Sequence, residues 1–403
     1  MAMPKADRKL MREINSMQVL HQVRMHGPIS RPELAEQTGL GLSTISNIVT
    51  ELLESKLIRE VGEGDSSGGR RPSLLDINEL ARYAFGVKIG PEQVWISSFD
   101  LRGHKISSRE ISFVQGAPPE ELFEEISKVV DAMRHDDKIP KRSILGIGVS
   151  TSGLIDAKSG ICLYSPILGW DNVSIRDRLS KLTRLDVIVE NDVNAFAYGT
   201  SLHDANANTR NLICITTGTG VGAGIILDKK LYRGSLGGAG EFGHMTIDIN
   251  GPKCACGRRG CLDVMASDKY LVARARESVA ADEPSVLGTL ADERKLSAMS
   301  VFLAAQLNDP LALHIYEEFG RNLGAGVANL INLFNPDKIV VGGEGAVASK
   351  FFMPTLRTTA FEQAFPHLTD HLEIVVDDGS EDVWLQGAAL LVIEKFFEVP
   401  LSS

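Results

Sequence analysis

Apolar residues first recur at helical spacing over residues 10–25, where Leu10, Ile14, Met17, Leu20 and Val23 share one face and Gly27-Pro28 closes the segment. Ser30 opens a second predicted helix through Thr38, with Glu33 at the capping-box position and Leu34 and Ala35 pointing inward. After the turn Gly39-Leu40-Gly41, a third helix starts at Ser43. It buries Ile45, Ile48, Val49, Leu52 and Leu53 and leaves Ser43, Thr44, Ser46, Asn47 and Thr50 outward. Residues 57–61 and 73–77 read as two strands on either side of a polar Gly/Ser stretch.

From about residue 80 the periodicity alternates between strand and helix, which predicts α/β layering. Residues 85–89 and 94–99 form a predicted hairpin. One apolar helix face follows at Leu122, Phe123, Ile126, Val129, Val130 and Met133, then a buried strand at 144–149. A second hairpin at 212–216 and 222–227 resembles the first, as if each opened one half of a duplicated fold. Helical patterns follow at 267–282, 311–334 and 383–398, with strand-like runs at 338–341 and 373–376.

The first three helices have the spacing of a helix-turn-helix, and the strands after them that of a wing. An apolar stripe holds the third helix while Ser43, Thr44, Ser46 and Asn47 are left to reach base edges and phosphates. Gly68-Gly69-Arg70-Arg71-Pro72 puts Arg70 and Arg71 on a Gly tether suited to a narrow minor groove; the alternative is a solvated linker. Charge separates this segment from the rest. Residues 1–78 carry ten basic and ten acidic side chains, so the remaining 32 basic and 42 acidic groups account for the whole net charge of −10. That excludes a protein coating nucleic acid over its entire surface. At 403 residues, with 43% hydrophobic and 23% charged content, the chain is expected to fold as two or three globular units. No apolar run reaches the roughly 18 to 20 residues of a membrane span, and the expected location is cytoplasmic.

Five cysteines are an odd number, and three crowd into Cys254-Ala-Cys256-Gly257-Arg-Arg-Gly260-Cys261, ten residues after His244. Three thiolates and an imidazole satisfy tetrahedral Zn²⁺ and leave no position for water, so the expected metal is structural. Cys162 and Cys214 sit in apolar runs and are expected in the core. Glu190-Asn191-Asp192-Val193-Asn194 follows the strand 187–189, at the strand end where α/β folds bind ligands. Asn191 and Asp192 have the chemistry to hold sugar hydroxyls, and equally the chemistry of a capping loop. Glycines at 218, 220, 222 and 224, and the run Gly342-Gly343-Glu344-Gly345, fit either a phosphate contact or plain turns.

Together, Glu241-Phe242-Gly243-His244, the cysteine hairpin and the N-terminal Gly-Pro-Ile-Ser-Arg and Gly-Gly-Arg-Arg-Pro runs resemble the ROK family of sugar kinases and sugar-responsive repressors, over nearly the whole chain. The resemblance implies a two-lobed actin-like, ribonuclease H-like sugar-kinase fold behind a winged helix-turn-helix. The division expected is 1–80 for the DNA-binding unit and 81–403 for the sugar-binding unit, with a first lobe at 81–200, a second lobe with the zinc site at 201–380 and a C-terminal helix at 381–403. It further implies that Asn191, Asp192, Glu241 and His244 line a sugar pocket, with Asp263 where family kinases carry a Glu, and that His244, Cys254, Cys256 and Cys261 hold zinc. Lys88-Ile89-Gly90-Pro91-Glu92 departs from the family's Asp-x-Gly-Gly-Thr phosphate motif: a Lys replaces the carboxylate, Pro91 removes an N–H donor and Glu92 adds negative charge. Ile167 replaces an Asn that often touches sugar. The expectation is therefore a dimeric or tetrameric repressor of carbohydrate genes. It would bind operator DNA and a sugar or sugar-phosphate effector, with Asp192 a vestigial base and kinase activity lost. A working sugar kinase with a DNA-binding head, and a zinc-stabilised interaction protein, are the alternatives.

Overall fold

The computed structural model describes residues 8–64, 71–203, 206, 208–281, 283–290, 296–377 and 382–398. Helix α1 (Arg8–His26), strand β1 (Ile29–Ser30), α2 (Arg31–Thr38), α3 (Leu42–Glu54), β2 (Ile58–Glu63) and β3 (Ser73–Ile77) form the N-terminal unit, with the three strands in the order β1-β3-β2. α2 starts as its sequence dictates: Ser30 Oγ accepts from the Glu33 N–H, the Glu33 carboxylate accepts from the Ser30 N–H at 2.8 Å, and Gly39 ends the helix in the left-handed region. α3 buries Ile45, Ile48, Val49 and Leu52 against Val19, Leu20 and Val23 of α1. The three helices and the strand pair are a winged helix-turn-helix.

The first lobe holds β4 (Tyr83–Ile89), β5 (Gln93–Asp100), β6 (Lys105–Ser112), α4 (Pro119–Asp136), β7 (Ile144–Thr151), β8 (Leu154–Asp156), β9 (Ile161–Ser165), β10 (Trp170–Ser174), α5 (Ile175–Thr183), β11 (Val187–Asn191) and α6 (Asp192–Ser201). Its main sheet runs β11-β7-β4-β5-β6: an antiparallel meander of three strands followed by two parallel ones. The second lobe repeats the plan. β12 (Leu212–Thr217), β13 (Val221–Leu227), β14 (Lys230–Leu231), β15 (Lys338–Gly342) and β16 (Glu373–Val376) give the order β14-β13-β12-β15-β16, again a meander plus two parallel strands. The duplication read from the two hairpins is thus the organising feature of an actin-like fold. Helices α7 (Asp268–Ala280), α8 (Leu287–Leu290), α9 (Ala298–Gln306), α10 (Pro310–Phe334) and α11 (Ser349–Gln363) complete this lobe.

The final helix, α12 (Asp382–Phe397), returns to the first lobe and covers β4 and β7. It crosses α6 closely because Gly199 and Gly387 sit at the crossing. A Cβ on Gly387 would meet the Ala195 carbonyl, and one on Gly199 the Val383 carbonyl at 2.6 Å. One apolar cluster runs without a break from Val23, Ile45 and Ile77 of the winged helix to Leu385, Ala389, Ile393 and Phe397 of α12. At its edge the Arg24 guanidinium binds the Glu394 carboxylate at 2.8 Å and lies 4.3 Å over the Phe397 ring. No helix among the described residues is long and apolar enough to cross a membrane.

Candidate functional site

The first residues of β13 form a hub around which the candidate sugar residues gather, the start of α6 from the first lobe on one side and the Glu241–His244 turn of the second on the other. Val193, in the first turn of α6, packs onto Gly222 and Gly224. From the other side, Gly240 and Gly243 pack onto the carbonyls of Ala223 and Val221, which places the Glu241–His244 turn beside them. Asp263 reaches the same point, since its Oδ1 accepts from the Val221 N–H at 3.1 Å.

These residues are not equally free to meet a ligand. Asn191 caps α6: its Oδ1 accepts from the N–H groups of Val193 and Asn194, and its Nδ2 donates to the Gly153 carbonyl at 3.1 Å. Asp263 is buried, held by Val221 N–H and by the Lys269 ammonium 3.4 Å from its Oδ2. Asp192 Oδ2, the Glu241 carboxylate and His244 Nε2 have no hydrogen-bond partner among the described residues. The Asn191 side chain thus supports the α6 backbone, whereas Asp192 keeps one carboxylate oxygen without a partner among the described residues. Burial pushes the Asp192 carboxyl above the ordinary range, helped by the negative Glu344; the Val193 N–H and the Lys88 ammonium act against it.

Behind this loop lies a pair of residues to which the sequence pattern gave no role. Glu190 is 1% exposed, and its Oε1 accepts from the Asn191 N–H and from Asn194 Nδ2, both at 3.0 Å. Its Oε2 takes the Arg233 Nε–H at 2.6 Å. Arg233 belongs to the second lobe, on the segment leading to Glu241, so the pair ties both halves of the site together.

At the metal cluster, the ligand atoms of His244, Cys254, Cys256 and Cys261 all lie within 4.8 Å of one another. Cys256 and Cys261 sulfurs are 3.6 Å apart, and Cys254 Sγ is 3.8 Å from His244 Nδ1. A tetrahedron with Zn–S near 2.3 Å and Zn–N near 2.0 Å has edges of about 3.8 and 3.6 Å, so the geometry fits the ion. Gly260 makes the approach possible: it sits at φ +64°, and a Cβ there would strike the Asp248 carbonyl. Hydrogen bonds from the Arg258 backbone and side chain lower the Cys256 thiol to about 6, whereas burial pushes Cys261 up to about 12. With Nδ1 turned to the sulfurs, Nε2 of His244 is left for a second partner. Cys162 and Cys214 are free thiols in the core, as their apolar runs predicted.

On the winged helix, Ser43, Ser46 and Asn47 are exposed along α3 and Thr44 is half-buried. Helix α3 begins one residue before the predicted start, and its first residue, Leu42, is 56% exposed on the same outer surface. A sequence reading that sorts Leu as core passes over it. Arg71 is exposed beside β3, while Arg70 lies outside the described residues.

A sequence profile of the ROK family matches residues 84–395, beginning just after the winged helix. The chain belongs to the ROK family. Among its relatives, the xylose repressor of Bacillus spizizenii is 32% identical over 397 residues, 98% of each chain. A ROK family transcriptional regulator homologous to Escherichia coli MLC matches with a TM-score of 0.84 at 29% identity, over 96% of this chain and 97% of that one. The ROK glucokinase of Streptomyces griseus, solved with glucose and AMPPNP, matches with a TM-score of 0.65 at 29% identity, over 77% of this chain and 98% of its own. The xylose repressor and the MLC-like regulator thus match along nearly the whole chain, and the glucokinase over 77% of it.

Set in this ROK fold, the altered first hairpin has a definite arrangement. Lys88 on β4 is only 8% exposed, with its ammonium 4.3 Å over the Trp384 ring of α12 and 5.1 Å over the Trp95 ring of β5. Pro91 and Glu92 are exposed at the turn. Ile167 is 43% exposed, and its carbonyl accepts from Gln115 Nε2 at 2.9 Å.

Proposed function

We propose that the protein is a sugar-responsive transcriptional repressor that binds operator DNA through α3 and the wing and binds an aldose or aldose phosphate between its lobes. One observation carries this reading. The winged helix shares a continuous apolar core with α12, and α12 lies directly against α6, whose first turn carries Asp192. A ligand seated against that turn favours one arrangement of α6 and α12, and the DNA-binding unit packed on α12 feels the difference.

In this reading Asp192 and Glu241 accept hydroxyl protons, His244 Nε2 donates, and Asn191 and Asp263 hold the backbone that aims them. When Zn²⁺ is bound, His244, Cys254, Cys256 and Cys261 fix the turn bearing Glu241; the ion itself is structural. Ser43, Thr44, Ser46 and Asn47, joined by Leu42 through thymine methyl contact, read bases, and Arg70 and Arg71 enter the minor groove. Two chains act on a palindromic site, because a single such unit reads few bases. Phosphoryl transfer is lost: a buried lysine stands at the first phosphate turn, Pro91 donates nothing and Glu92 repels anions. The names of the relatives make D-xylose and D-glucose the first probes. The test is retardation of DNA selected from a random pool by the chain, repeated with each sugar, beside an ATP-consumption assay. Sugar-sensitive retardation without turnover is expected; rapid sugar-dependent ATP hydrolysis would replace the reading with that of a kinase.

A further inference from the structure

The winged helix is joined to the first lobe by more than a shared core. The connecting segment is hydrogen-bonded on both sides: the Asn78 N–H donates to the Leu57 carbonyl, Asn78 Nδ2 donates to the Lys56 carbonyl, and the Glu79 carbonyl accepts from the Leu101 N–H at 3.0 Å. Arg59 of β2 donates to the Glu79 carboxylate, also at 3.0 Å. Beside this joint, ion pairs cross between the two units. Arg24, in the last turn of α1, meets the Glu394 carboxylate of α12 at 2.8 Å, and its side chain is only 14% exposed against the Phe397 ring. Asp76 of β3 accepts from Arg102 Nη2 at 2.5 Å, in the turn between β5 and β6. Gly27 leaves room for that carboxylate, because a Cβ there would meet Asp76 Oδ1. Apolar contact is non-directional, so the shared core makes the units touch without setting the angle between them. Ion pairs anchored on two separate elements, α12 and the β5–β6 turn, do set it.

We propose that Arg24–Glu394 and Asp76–Arg102 form a two-point clasp that docks the winged helix on the first lobe as one body, so that a shift of α12 turns α3 rather than freeing it. This rests on the sugar-responsive reading above and specifies how the signal leaves the lobes: as a change in the angle of the winged helix, not as release of a tethered unit. Both points of the clasp answer to α12. Glu394 lies on that helix, which packs against α6, and Tyr198 of α6 packs against the same apolar cluster. The turn bearing Arg102 is held by α12 as well, since Gln386 Nε2 donates to the Gly103 carbonyl at 2.9 Å. A charge pair shielded by an aromatic ring is worth more than one in open water, which makes Arg24 the stronger of the two points.

The experiment uses the full chain with Arg24→Met and Arg102→Met, which keep the side-chain stems, the double variant, and Arg24→Lys, which keeps the charge; melting temperature checks that each folds. Without ligand, hydrogen exchange is followed by mass spectrometry on peptides of α1, α12 and α10. In the wild type, α1 and α12 should exchange at a common slow rate, as one opening unit. The double variant should speed exchange in α1 by about tenfold or more, the scale of one hydrogen bond to a charged group, with α10 unchanged and Arg24→Lys close to wild type. Exchange in α1 far faster than in α12 of the wild type, or unchanged protection of α1 in the double variant, would overturn the clasp. With ligand, DNA affinity is measured with and without saturating D-xylose or D-glucose, and sugar affinity by calorimetry. The double variant should bind sugar as the wild type does, while the sugar-induced change in DNA affinity, roughly five- to 150-fold in the wild type, falls to about twofold or less. An unchanged factor in the double variant would overturn the proposal and leave the sugar-responsive reading standing. If neither sugar binds the wild-type chain, that reading fails, and the ligand-free arm alone decides the clasp.

Discussion

Replacing Arg233 with Met removes the partner of a carboxylate that water does not reach. Glu190 is 1% exposed and keeps two donors, the Asn191 N–H and Asn194 Nδ2, while the 2.6 Å bond from Arg233 Nε disappears. Breaking a fully buried pair costs about 3 to 5 kcal/mol. The Arg233 side chain is 37% exposed, so solvent already screens part of its charge, and a loss of about 2 to 3 kcal/mol is the expected size. For a lobe of this size that corresponds to a fall of roughly 4 to 12 °C in melting temperature. Adding Glu190→Gln should recover much of the loss, because a neutral amide oxygen still accepts from the Asn191 N–H and no bare charge is left in the core. Thermal melts of the two single variants, the double variant and the wild type form a cycle with a coupling above about 1 kcal/mol. Arg233→Met should also weaken sugar binding, because the pair holds the segment before Glu241 against the Asn191 loop. A melting temperature for Arg233→Met within a degree of wild type, or strictly additive effects in the cycle, would refute the assignment of this pair as the clamp between the lobes.

Cys256→Ser should reduce zinc, measured by elemental analysis, from about one ion per chain to near none and lower the melting temperature, since the site loses a thiolate. Because the Cys261 thiol is pushed up to about 12, zinc must displace its proton at neutral pH, so proton release accompanies binding and affinity falls on acidification. Asn47→Ala should cost about 1 to 3 kcal/mol at one operator base while leaving other positions alone, and Arg71→Ala should weaken all sequences and reduce the salt slope by about one, both read by fluorescence anisotropy. Ser30→Ala should destabilise the winged helix by about 1 kcal/mol. The Ser30 hydrogen bonds hold the Glu33 carboxyl below its ordinary value of 4.5, so the share acting through the carboxylate is present above that value and is lost as acid protonates the folded state, while the Glu33 N–H bond to Ser30 Oγ persists; in melts of both proteins the difference seen at neutral pH should shrink, without vanishing, at acid pH.

Much of the fold was legible because several elements are half-buried and so carry their period in the sequence. α3 and α4 show clean apolar stripes, and the wing strands and both hairpins stand between turn residues. Elements buried or solvated on both sides left no such mark. β6 is largely exposed along both faces as an edge strand, so Lys105–Ser112 reads as polar loop. α6 is enclosed by α12 and β13, and Asp192-Val-Asn-Ala-Phe-Ala-Tyr-Gly shows no single apolar face. α9 is apolar nearly all round, and α11 carries Pro354 within it. The metal cluster was readable because thiolate spacing is itself the chemistry. The Glu190–Arg233 pair and the Lys88 box were not: the first joins the two lobes, and the second needs α12 to bring Trp384 from the far end of the chain onto the Lys88–Trp95 pair of the first hairpin.

The central claim is that one chain couples a sugar between its lobes to DNA held by its winged helix. It is tested most directly by measuring the affinity for selected DNA with and without saturating D-xylose or D-glucose, and the sugar affinity with and without that DNA. Coupling of about 1 to 3 kcal/mol is expected, a change of roughly five- to 150-fold, with the same factor in both directions. Equal DNA affinity in the presence of a sugar that calorimetry shows to be bound would contradict it.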